Sequence, residues 1–430
     1  MTRFLAQRRR RTAAILFALT LVAVACGGSE SSDESTQTAE PTQATEAATP
    51  QVTTAPTSAP TSAPEPSPAP TATAEPTPLP SPIAEPEPDV SISDFSERGP
   101  YAVGVTTRSL GDRDVEIWYP VDLATVDGQQ TEVFDALSSF PEDLRAIIPP
   151  ELSGEYDTLA VRDVAPVADG FPVVIYGHGF GGYRQIATHF TSHLASWGFV
   201  VASTDHLERG IAEQTLDLIG SGLFDESNVR PDAAVDDVRN TIELLGELNS
   251  EGPLAGTMDL DHLAISGHSA GAFAAIQAAA AEPDRIDGWI SISGGTRDGI
   301  ELTQPGLVII GELDAVVPAE RSYELYESVT VPQVLLNIEN AGHNSFTDAC
   351  RGINDLGGLS VLTALLGDEQ VARAEDGCIP GATEPEIAQA MANHVTVAWL
   401  NELFALPVVG DPLAADVVAE LGPAADSQAN

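Results

Sequence analysis

Short apolar runs alternate with amphipathic segments along the chain from residue 95 onward. The first two runs, 103–108 and 115–119, are joined by Gly111-Asp112-Arg113 and predict a β-hairpin. The later runs are continuously apolar, which is typical of strands that are buried on both faces of a parallel sheet. These runs cover residues 171–176, 199–203, 262–268, 289–292, 306–310 and 334–336.

Helical patterns separate the later runs. The predicted helices cover residues 184–197, 232–248, 319–328 and 384–404, and a further helix, rich in small residues, runs to Ala281 after the sequence at 267–271. A less regular insert at 121–160 contains one more predicted helix, over 133–148. Because strands and helices alternate, we expect an α/β fold, a mostly parallel doubly wound sheet over residues 95–408. The acidic, alanine-rich tail at 409–430 is predicted to lie outside this domain.

The first 25 residues have the pattern of a secretory signal. Four arginines, residues 8–11, precede an apolar segment of 13 residues, which is too short for the ~20 residues of a membrane span. Small residues then lead into Cys26, and this ending resembles the lipobox of bacterial lipoproteins, in which the cysteine is lipidated. We expect export and a lipid anchor at Cys26 on the outer face of the membrane; an ordinary signal peptide is the alternative.

Residues 26–94 consist almost entirely of Ser, Thr, Ala, Pro, Glu and Gln. Such a composition buries too little apolar surface to offset the entropy of ordering, so we expect a disordered linker. Its prolines favour an extended spacer between the anchor and the folded domain.

The net charge of −45 restricts the partners of the protein. A surface this acidic repels nucleic acid and anionic lipid. We therefore expect the protein to contact a membrane through the predicted lipid on Cys26. We expect a monomer that acts on small-molecule, lipid or polymer substrates.

Two cysteines, Cys350 and Cys378, are left once Cys26 is assigned to lipidation. In an exported chain an even number of remaining cysteines predicts a disulfide; two unpaired buried thiols are the alternative. We do not expect a metal site here, because no neighbouring His or Cys completes a set of four ligands.

The candidate chemistry centres on Ser269, in the sequence Gly-His-Ser-Ala-Gly at 267–271. An apolar strand precedes this motif and a helix rich in small residues follows it. Gly-x-Ser-x-Gly in that context predicts a nucleophile elbow, in which a sharp turn holds the serine hydroxyl clear of the sheet. The motif alone is a weak signal, so the prediction depends on finding the rest of a hydrolase site.

A serine nucleophile needs a base and an acid that orients the base. Asp314 follows the predicted strand at 306–310, and His343 follows the strand at 334–336. The order Ser269, Asp314, His343 is the chain order of α/β-hydrolase triads. We expect the serine to attack a carbonyl carbon while the histidine accepts its proton.

Other residues compete for these roles. Glu312 and Asp298 are alternative acids, and we expect His268, next to the serine, to be structural. His189 and His193 have the i, i+4 spacing of metal ligands, but no third ligand is evident, so no metal is predicted.

The loop at 177–182 contains four glycines and follows an early strand. Glycines let a backbone approach an oxyanion closely, so we expect the N–H groups of Phe180 and Ala270 to form the oxyanion hole. A phosphate cradle or a plain turn is the alternative. The loop lacks the Walker pattern and an acidic partner about 20 residues on, so no nucleotide cofactor is predicted.

Taken together, these motifs resemble one branch of the α/β-hydrolase superfamily, over residues 99–404. The branch holds platelet-activating-factor acetylhydrolase-like esterases, dienelactone-hydrolase-like proteins and cutinase-type polyester hydrolases. The resemblance rests on Gly99-Pro100-Tyr101-Ala102-Val103-Gly104, Ile117-Trp118-Tyr119-Pro120, Gly177-His178-Gly179-Phe180-Gly181-Gly182, Leu194-Ala195-Ser196-Trp197-Gly198-Phe199-Val200-Val201, the 267–271 motif, Gly311-Glu312-Leu313-Asp314 and Gly342-His343. It implies an α/β-hydrolase fold and a metal-independent serine hydrolase of carboxylic esters, with Phe180 and Ala270 lining the oxyanion hole.

The chain departs from the polyester hydrolases at two places. Those enzymes usually carry methionine after the nucleophile and tryptophan after the next strand, where this chain has Ala270 and Gly294-Gly295. Longer segments at 121–160, 207–229 and 346–378 are predicted to form a cap. Phe180, Tyr183 and Phe346 are the aromatic residues expected near the acyl group. An acyltransferase or peptidase on the same triad, or a non-catalytic binding module, are the alternative functions.

Overall fold

The computed structural model of the protein describes residues 94–140, 142–146, 155–221, 231–296, 299–360, 363 and 367–429. The first two strands, β1 (Ala102–Leu110) and β2 (Arg113–Val121), form the predicted hairpin, with Ala102 opposite Val121. The turn contains Gly111 at a φ of +67°, a backbone conformation that glycine adopts without steric cost.

The remaining strands are β3 (Val133–Asp135), β4 (Glu155–Asp157), β5 (Val161–Arg162), β6 (Phe171–Gly177), β7 (Val200–Thr204), β8 (Met258–His268), β9 (Gly288–Ile292), β10 (Gly306–Gly311), β11 (Gln333–Ile338) and β12 (Ala424–Ala429). Ten of the described strands form one sheet, in the order β12-β11-β10-β9-β8-β6-β7-β2-β1-β5, and β3 pairs with β4 separately. The pairs from β11 to β7 are all parallel. The predicted parallel sheet is therefore present.

The helices are α1 (Glu142–Arg145), α2 (Thr188–Ser196), α3 (Ile211–Ser221), α4 (Pro231–Ser250), α5 (Ala270–Ala281), α6 (Ala319–Ser328), α7 (Ala349–Leu356), α8 (Asp368–Glu375), α9 (Pro385–Leu403) and α10 (Ala415–Leu421). Side chains of α2, α9 and α10 pack on one face of the sheet. Those of α4, α5 and α6 pack on the other face. Both faces of the parallel strands are thus buried, which explains why their sequences are continuously apolar.

The prediction of one helix over 133–148 is wrong for the described residues. Residues 133–135 form β3, and Asp135 then caps a 3-10 turn by accepting a hydrogen bond from the N–H of Leu137 (2.9 Å). Phe140 is extended because it precedes Pro141, and a residue before proline avoids the helical region. Only α1 is helical beyond that point, and residues 147–148 lie outside the described residues.

The predicted domain end at residue 408 is too early. Residues 424–429 form β12, which pairs antiparallel with β11 at the edge of the sheet. Val418, on α10, is fully buried against the core. Alternating small and polar residues in β12 gave no apolar run, since an edge strand of this kind buries little side-chain surface.

The first described residues pack against the rest of the domain. Phe95 is 2% exposed and packs edge-on against Trp197, and its N–H donates to Nδ1 of His394 (2.9 Å). The predicted signal at 1–25, Cys26, the linker up to residue 93 and Asp298 lie outside the described residues. In the part of the chain that the structure describes, no helix has the length and apolar character of a membrane span.

Candidate active site

Ser269 lies in the turn between β8 and α5, at a φ of 56° and a ψ of −121°. This conformation is strained for a residue with a side chain, and it is the expected one for a nucleophile elbow. A Cβ at Gly267 would lie 2.2 Å from the carbonyl oxygen of Gly271, and one at Gly271 would lie 2.0 Å from that of Gly177. Only glycine therefore fits on either side of the serine, which remains half-buried and accessible.

Asp314 and His343 come together at the ends of neighbouring strands. Gly311, the last residue of β10, pairs with Ile338 of β11, so the loops that follow these strands start side by side. Nδ1 of His343 lies 2.7 Å from Oδ2 of Asp314. Both side chains are almost fully buried, which strengthens a hydrogen bond between them.

The carboxylate of Asp314 is held in a fixed orientation. Its Oδ1 accepts hydrogen bonds from the N–H groups of Val316 (2.9 Å) and Val317 (2.7 Å). With Oδ1 occupied, Oδ2 faces the imidazole and accepts the Nδ1 proton. This assigns the neutral tautomer in which Nε2 of His343 is free to accept a proton. Glu312, the competing acid, is exposed and its Oε2 accepts from the N–H of Asn340 (3.0 Å).

His268 links the serine turn to the histidine loop. Its Nε2 donates to the carbonyl oxygen of His343 (2.9 Å), and the two rings lie 4.7 Å apart. Burial, with a smaller effect from the neighbouring His343, lowers the pKa of His268 to about 3, so this ring stays neutral. The residue next to Ser269 thus binds the backbone of His343, and His268 has the structural role expected of it.

The glycine loop (residues 177–182) lies against the serine. Gly177 pairs with Gly267 across β6 and β8, so the loop leaves the sheet beside the elbow. A Cβ at Gly179 would lie 3.1 Å from Cβ of Ser269. The loop backbone is thus in close contact with the nucleophile, as an oxyanion loop must be.

The two predicted oxyanion donors lie on either side of this contact. Ala270 is the first residue of α5, where a backbone N–H has no carbonyl partner within the helix. In the glycine loop the N–H of Gly181 donates to the carbonyl of Arg209 (2.8 Å) and that of Gly182 to the carbonyl of Gly179 (3.1 Å). Phe180, the predicted second donor, lies between these residues in the chain and is half-buried.

Residues 205–211, which follow β7, hold the glycine loop in place. Nε of Arg209 donates to the carbonyl of His178 (2.9 Å), and the N–H of His206 donates to Nε2 of the same residue (3.0 Å). The N–H of Ile211 donates to the carbonyl of Gly182 (2.9 Å). Burial lowers the pKa of the fully buried Arg209 to about 10 and that of His178 well below its ordinary value.

The role of Arg209 was not predicted from the sequence. The available signal was its position. Arg209 is a charged residue just beyond the carboxyl end of β7, and β7 lies beside β6, the strand that leads into the glycine loop.

One group of side chains has the composition of a metal site. Ligand atoms of His206, Glu208 and Asp237 lie within 4.8 Å of one another. However, Nη1 of Arg113 contacts both oxygens of Asp237 (2.7 and 2.6 Å), and Arg209 pairs with Glu208 at 3.0 Å. Two guanidinium groups already neutralise these carboxylates, so the group is an ion-pair cluster.

The histidines of the predicted i, i+4 pair have different partners. Nδ1 of His189 lies 3.1 Å from Oδ1 of Asp348, while Nε2 of His193 donates to the carbonyl of Phe95 (2.8 Å). A shared metal ion would require the two rings to converge, and these contacts point them to separate partners.

Of the aromatic residues predicted to contact substrate, Tyr183 is placed beside the glycine loop. Its ring stacks on Phe134, with centroids 5.6 Å apart, and its hydroxyl lies 3.3 Å from that of Tyr156. Phe134 and Tyr156 belong to β3 and β4, so the 121–160 insert reaches the glycine loop. Phe346 is 3% exposed and packs in the core, where it offers little surface to a substrate, unlike its predicted role.

Cys350 and Cys378 form the predicted disulfide. It joins the start of α7 to the segment after α8, so the 346–378 region is cross-linked within itself. Both sulfurs are buried, together with Ile353.

The comparisons with known proteins agree with this architecture. Residues 152–217 match the family model described as platelet-activating factor acetylhydrolase, isoform II. Among solved structures, the chain is similar to a ferulic acid esterase from Streptomyces cinnamoneus, with a TM-score of 0.51 and 18% identity, over 73% of this chain and 93% of that chain. The chain therefore has the α/β-hydrolase fold. The matched segment contains the glycine loop and the 205–211 segment that supports it.

Proposed function

We propose that the protein is a serine hydrolase that cleaves carboxylic esters through an acyl-enzyme, with Ser269, His343 and Asp314 as its triad. The observation that carries this proposal is the 2.7 Å contact between His343 and Asp314, which His268 links to the strained elbow at Ser269. Those are the parts a serine nucleophile needs, in the chain order of α/β-hydrolases.

In the first half of the reaction, Oγ of Ser269 attacks the ester carbonyl carbon and its proton passes to Nε2 of His343. Asp314 stabilises the resulting imidazolium through the Nδ1 hydrogen bond. The negative charge that develops on the carbonyl oxygen is met by the N–H groups of Ala270 and Phe180. The C–O bond to the leaving group then breaks, and the alcohol takes the proton from the imidazolium.

In the second half, water replaces the alcohol. His343 removes a proton from the water while its oxygen attacks the acyl carbon. Collapse of this second intermediate breaks the bond to Oγ of Ser269, which regains a proton, and the carboxylic acid leaves.

We propose small or lipid-like esters as the substrate class. A Cβ at Gly294 would lie 2.4 Å from Cβ of Ala272, so position 294 has no room for the aromatic clamp typical of polyester hydrolases. Tyr183, which is half-buried beside the glycine loop and stacks on Phe134, offers an apolar wall for an acyl chain.

We also propose that the enzyme is exported and anchored by a lipid on Cys26, with residues 27–94 as a spacer. The support is the arginine block, the short apolar segment and the cysteine after small residues. In a bacterial host the wild type is expected in the membrane fraction and Cys26→Ala in the soluble one. Equal partition of both would contradict the anchor.

The hydrolase proposal is tested with p-nitrophenyl esters of increasing acyl length. The wild type is expected to hydrolyse the short esters, and Ser269→Ala is expected to lose at least about 10³-fold in kcat. Ser266→Ala is the matched control, since Ser266 is buried in β8, three residues before the nucleophile. Equal rates in wild type and Ser269→Ala would contradict the proposal.

The same assay separates the alternative functions. Transfer of the acyl group to an added alcohol in preference to water would indicate an acyltransferase, and cleavage of p-nitroanilides in preference to esters a peptidase. A folded wild type inert toward every one of these substrates would favour a binding module.

A further inference from the structure

Asp376 joins the two loops that carry the proposed acid and base. Its Oδ2 accepts a hydrogen bond from the N–H of Ala315 (3.0 Å) and another from the N–H of His343 (2.9 Å). Ala315 directly follows Asp314 in the chain. A single carboxylate oxygen thus binds the backbone of the base and the backbone next to the acid.

Asp376 belongs to a segment, residues 373–378, that lies along the His343 loop; we call this segment the strap. Asn344 makes three hydrogen bonds to it: its N–H donates to the carbonyl of Asp376 (2.9 Å), and its Nδ2 donates to the carbonyls of Arg373 (2.9 Å) and Ala374 (3.2 Å). The strap is therefore bound along its length to the residue after the base.

The packing between strap and loop leaves no spare room. A Cβ at Gly342 would lie 2.4 Å from the backbone nitrogen of Gly377 and 2.8 Å from Oδ1 of Asp376. The backbones before the base and after the aspartate are therefore in direct contact, and Asp376 has little freedom to shift relative to His343.

Two further contacts fix the strap itself. Cys378 is bonded to Cys350, at the start of α7, and a carboxylate oxygen of Glu375 accepts from the N–H of Leu359. The strap is thus also tied to the rest of the 346–378 region. These contacts fix the strap, and with it Asp376, within the folded domain.

We propose that Asp376 is a positioning residue that sets the separation of Asp314 and His343, a role that rests on the proposed hydrolase function. The loops leave two different strands, so their relative position is not fixed by one backbone. By binding both N–H groups with one oxygen, Asp376 holds the acid and base at hydrogen-bond distance. Without it each N–H binds water; the loops stay joined nearer the strands, where the N–H of Leu313 donates to the carbonyl of Ala341 (2.9 Å), but lose the link beside the acid and the base.

The test compares Asp376→Ala, Asp376→Asn and Asp376→Glu, with Glu369→Ala, an exposed acid on α8, as the control. Asparagine keeps an acceptor oxygen in place, whereas glutamate keeps the charge but displaces the oxygen by one methylene. We expect Asp376→Ala and Asp376→Glu to lower kcat by about 100-fold with KM nearly unchanged. Asp376→Asn and the control are expected to stay within about threefold of the wild type.

A second readout does not depend on catalysis. The proton between Nδ1 of His343 and Asp314 gives a far-downfield ¹H NMR resonance when the pair is held together. We expect this resonance in the wild type, Asp376→Asn and Glu369→Ala, and its loss in Asp376→Ala and Asp376→Glu. If the wild type hydrolyses no ester but this pattern holds, the hydrolase proposal fails and the positioning role stands.

Two results would overturn the inference. One is a folded Asp376→Ala or Asp376→Glu that keeps both the resonance and the wild-type kcat. The other is an Asp376→Asn that loses as much kcat as Asp376→Glu or more, since the charge and not the placed oxygen would then matter. Because asparagine and glutamate both keep a polar side chain at this position, this comparison remains decisive even where the alanine variant does not fold.

Discussion

Nδ1 of His343 and Oδ2 of Asp314 are 2.7 Å apart, although 29 residues separate them in sequence. The contact forms because β10 and β11 are parallel neighbours whose carboxyl ends meet at one edge of the sheet. The N–H groups of Val316 and Val317 then orient the carboxylate of the acid, and the side chain of His268 binds the carbonyl of the base.

Replacing Asp314 by asparagine is expected to lower kcat by about 10⁴-fold while KM changes little, because an amide stabilises the wrong tautomer of His343. Glu312→Gln is the matched control: this acid is two residues away and exposed, and its expected change in kcat is less than about threefold. Steady-state kinetics on a short p-nitrophenyl ester measures both. A larger loss in Glu312→Gln would reassign the acid.

Two glycines of the glycine loop are expected to respond differently to alanine. Gly179→Ala places a methyl group 3.1 Å from Cβ of Ser269 and 3.2 Å from the carbonyl of His268, so we expect kcat to fall about tenfold or more. Gly181, at a φ of +69°, has open space around its Cβ position, so Gly181→Ala costs backbone strain of about 1 kcal/mol.

Kinetics and urea unfolding of the two variants separate these effects. The account is contradicted if Gly179→Ala keeps the full kcat, or if Gly181→Ala loses more kcat than Gly179→Ala.

The disulfide between Cys350 and Cys378 closes a loop of 28 residues. In the chain-entropy model such a cross-link stabilises the folded state by about 3.6 kcal/mol. For a domain of this size the double variant Cys350→Ser, Cys378→Ser is expected to melt about 5 °C lower than the wild type. Calorimetry with and without reductant checks this, since reductant should lower the melting temperature of the wild type alone.

The stability of the domain is expected to fall in acid, partly through His193. Burial lowers its pKa to about 3, whereas an unfolded histidine titrates near pH 6.5. Between these values unfolding takes up one proton, so the free energy of unfolding decreases as the pH falls below about 6.5. In His193→Gln the glutamine amide can still donate to the carbonyl of Phe95, but this side chain takes up no proton on unfolding.

The change in slope is measurable by urea unfolding at several pH values. Near pH 5 the variant is expected to lose less stability per pH unit than the wild type, by about 1.4 kcal/mol. Identical slopes would mean that His193 is protonated in the folded protein.

Much of the site could be predicted from sequence because its parts follow local rules. The serine turn needs glycines at 267 and 271 whatever surrounds it, and the acid and base must follow the carboxyl ends of strands. The apolar runs placed those strands within one to four residues of the observed bounds. The disulfide followed from counting the cysteines.

The parts that could not be predicted depend on contacts between distant segments. Asp376 and Arg209 are ordinary polar residues in sequence, and only the fold brings them against the loops that they hold. β12 has no apolar pattern, because it is an edge strand that pairs through its backbone. Phe346 follows the base by three residues, yet its side chain turns into the core.

The central claim is that Ser269 is a nucleophile activated by His343. Its most direct test is covalent labelling by a fluorophosphonate, followed by peptide mass spectrometry. This reagent reacts with activated serines, so the test does not require the natural substrate to be known. We predict one stoichiometric adduct on Ser269, no adduct in Ser269→Ala and strongly slowed labelling in His343→Ala, with Ser266→Ala labelled like the wild type. An unlabelled folded wild type, or an adduct that persists in Ser269→Ala, would contradict the account.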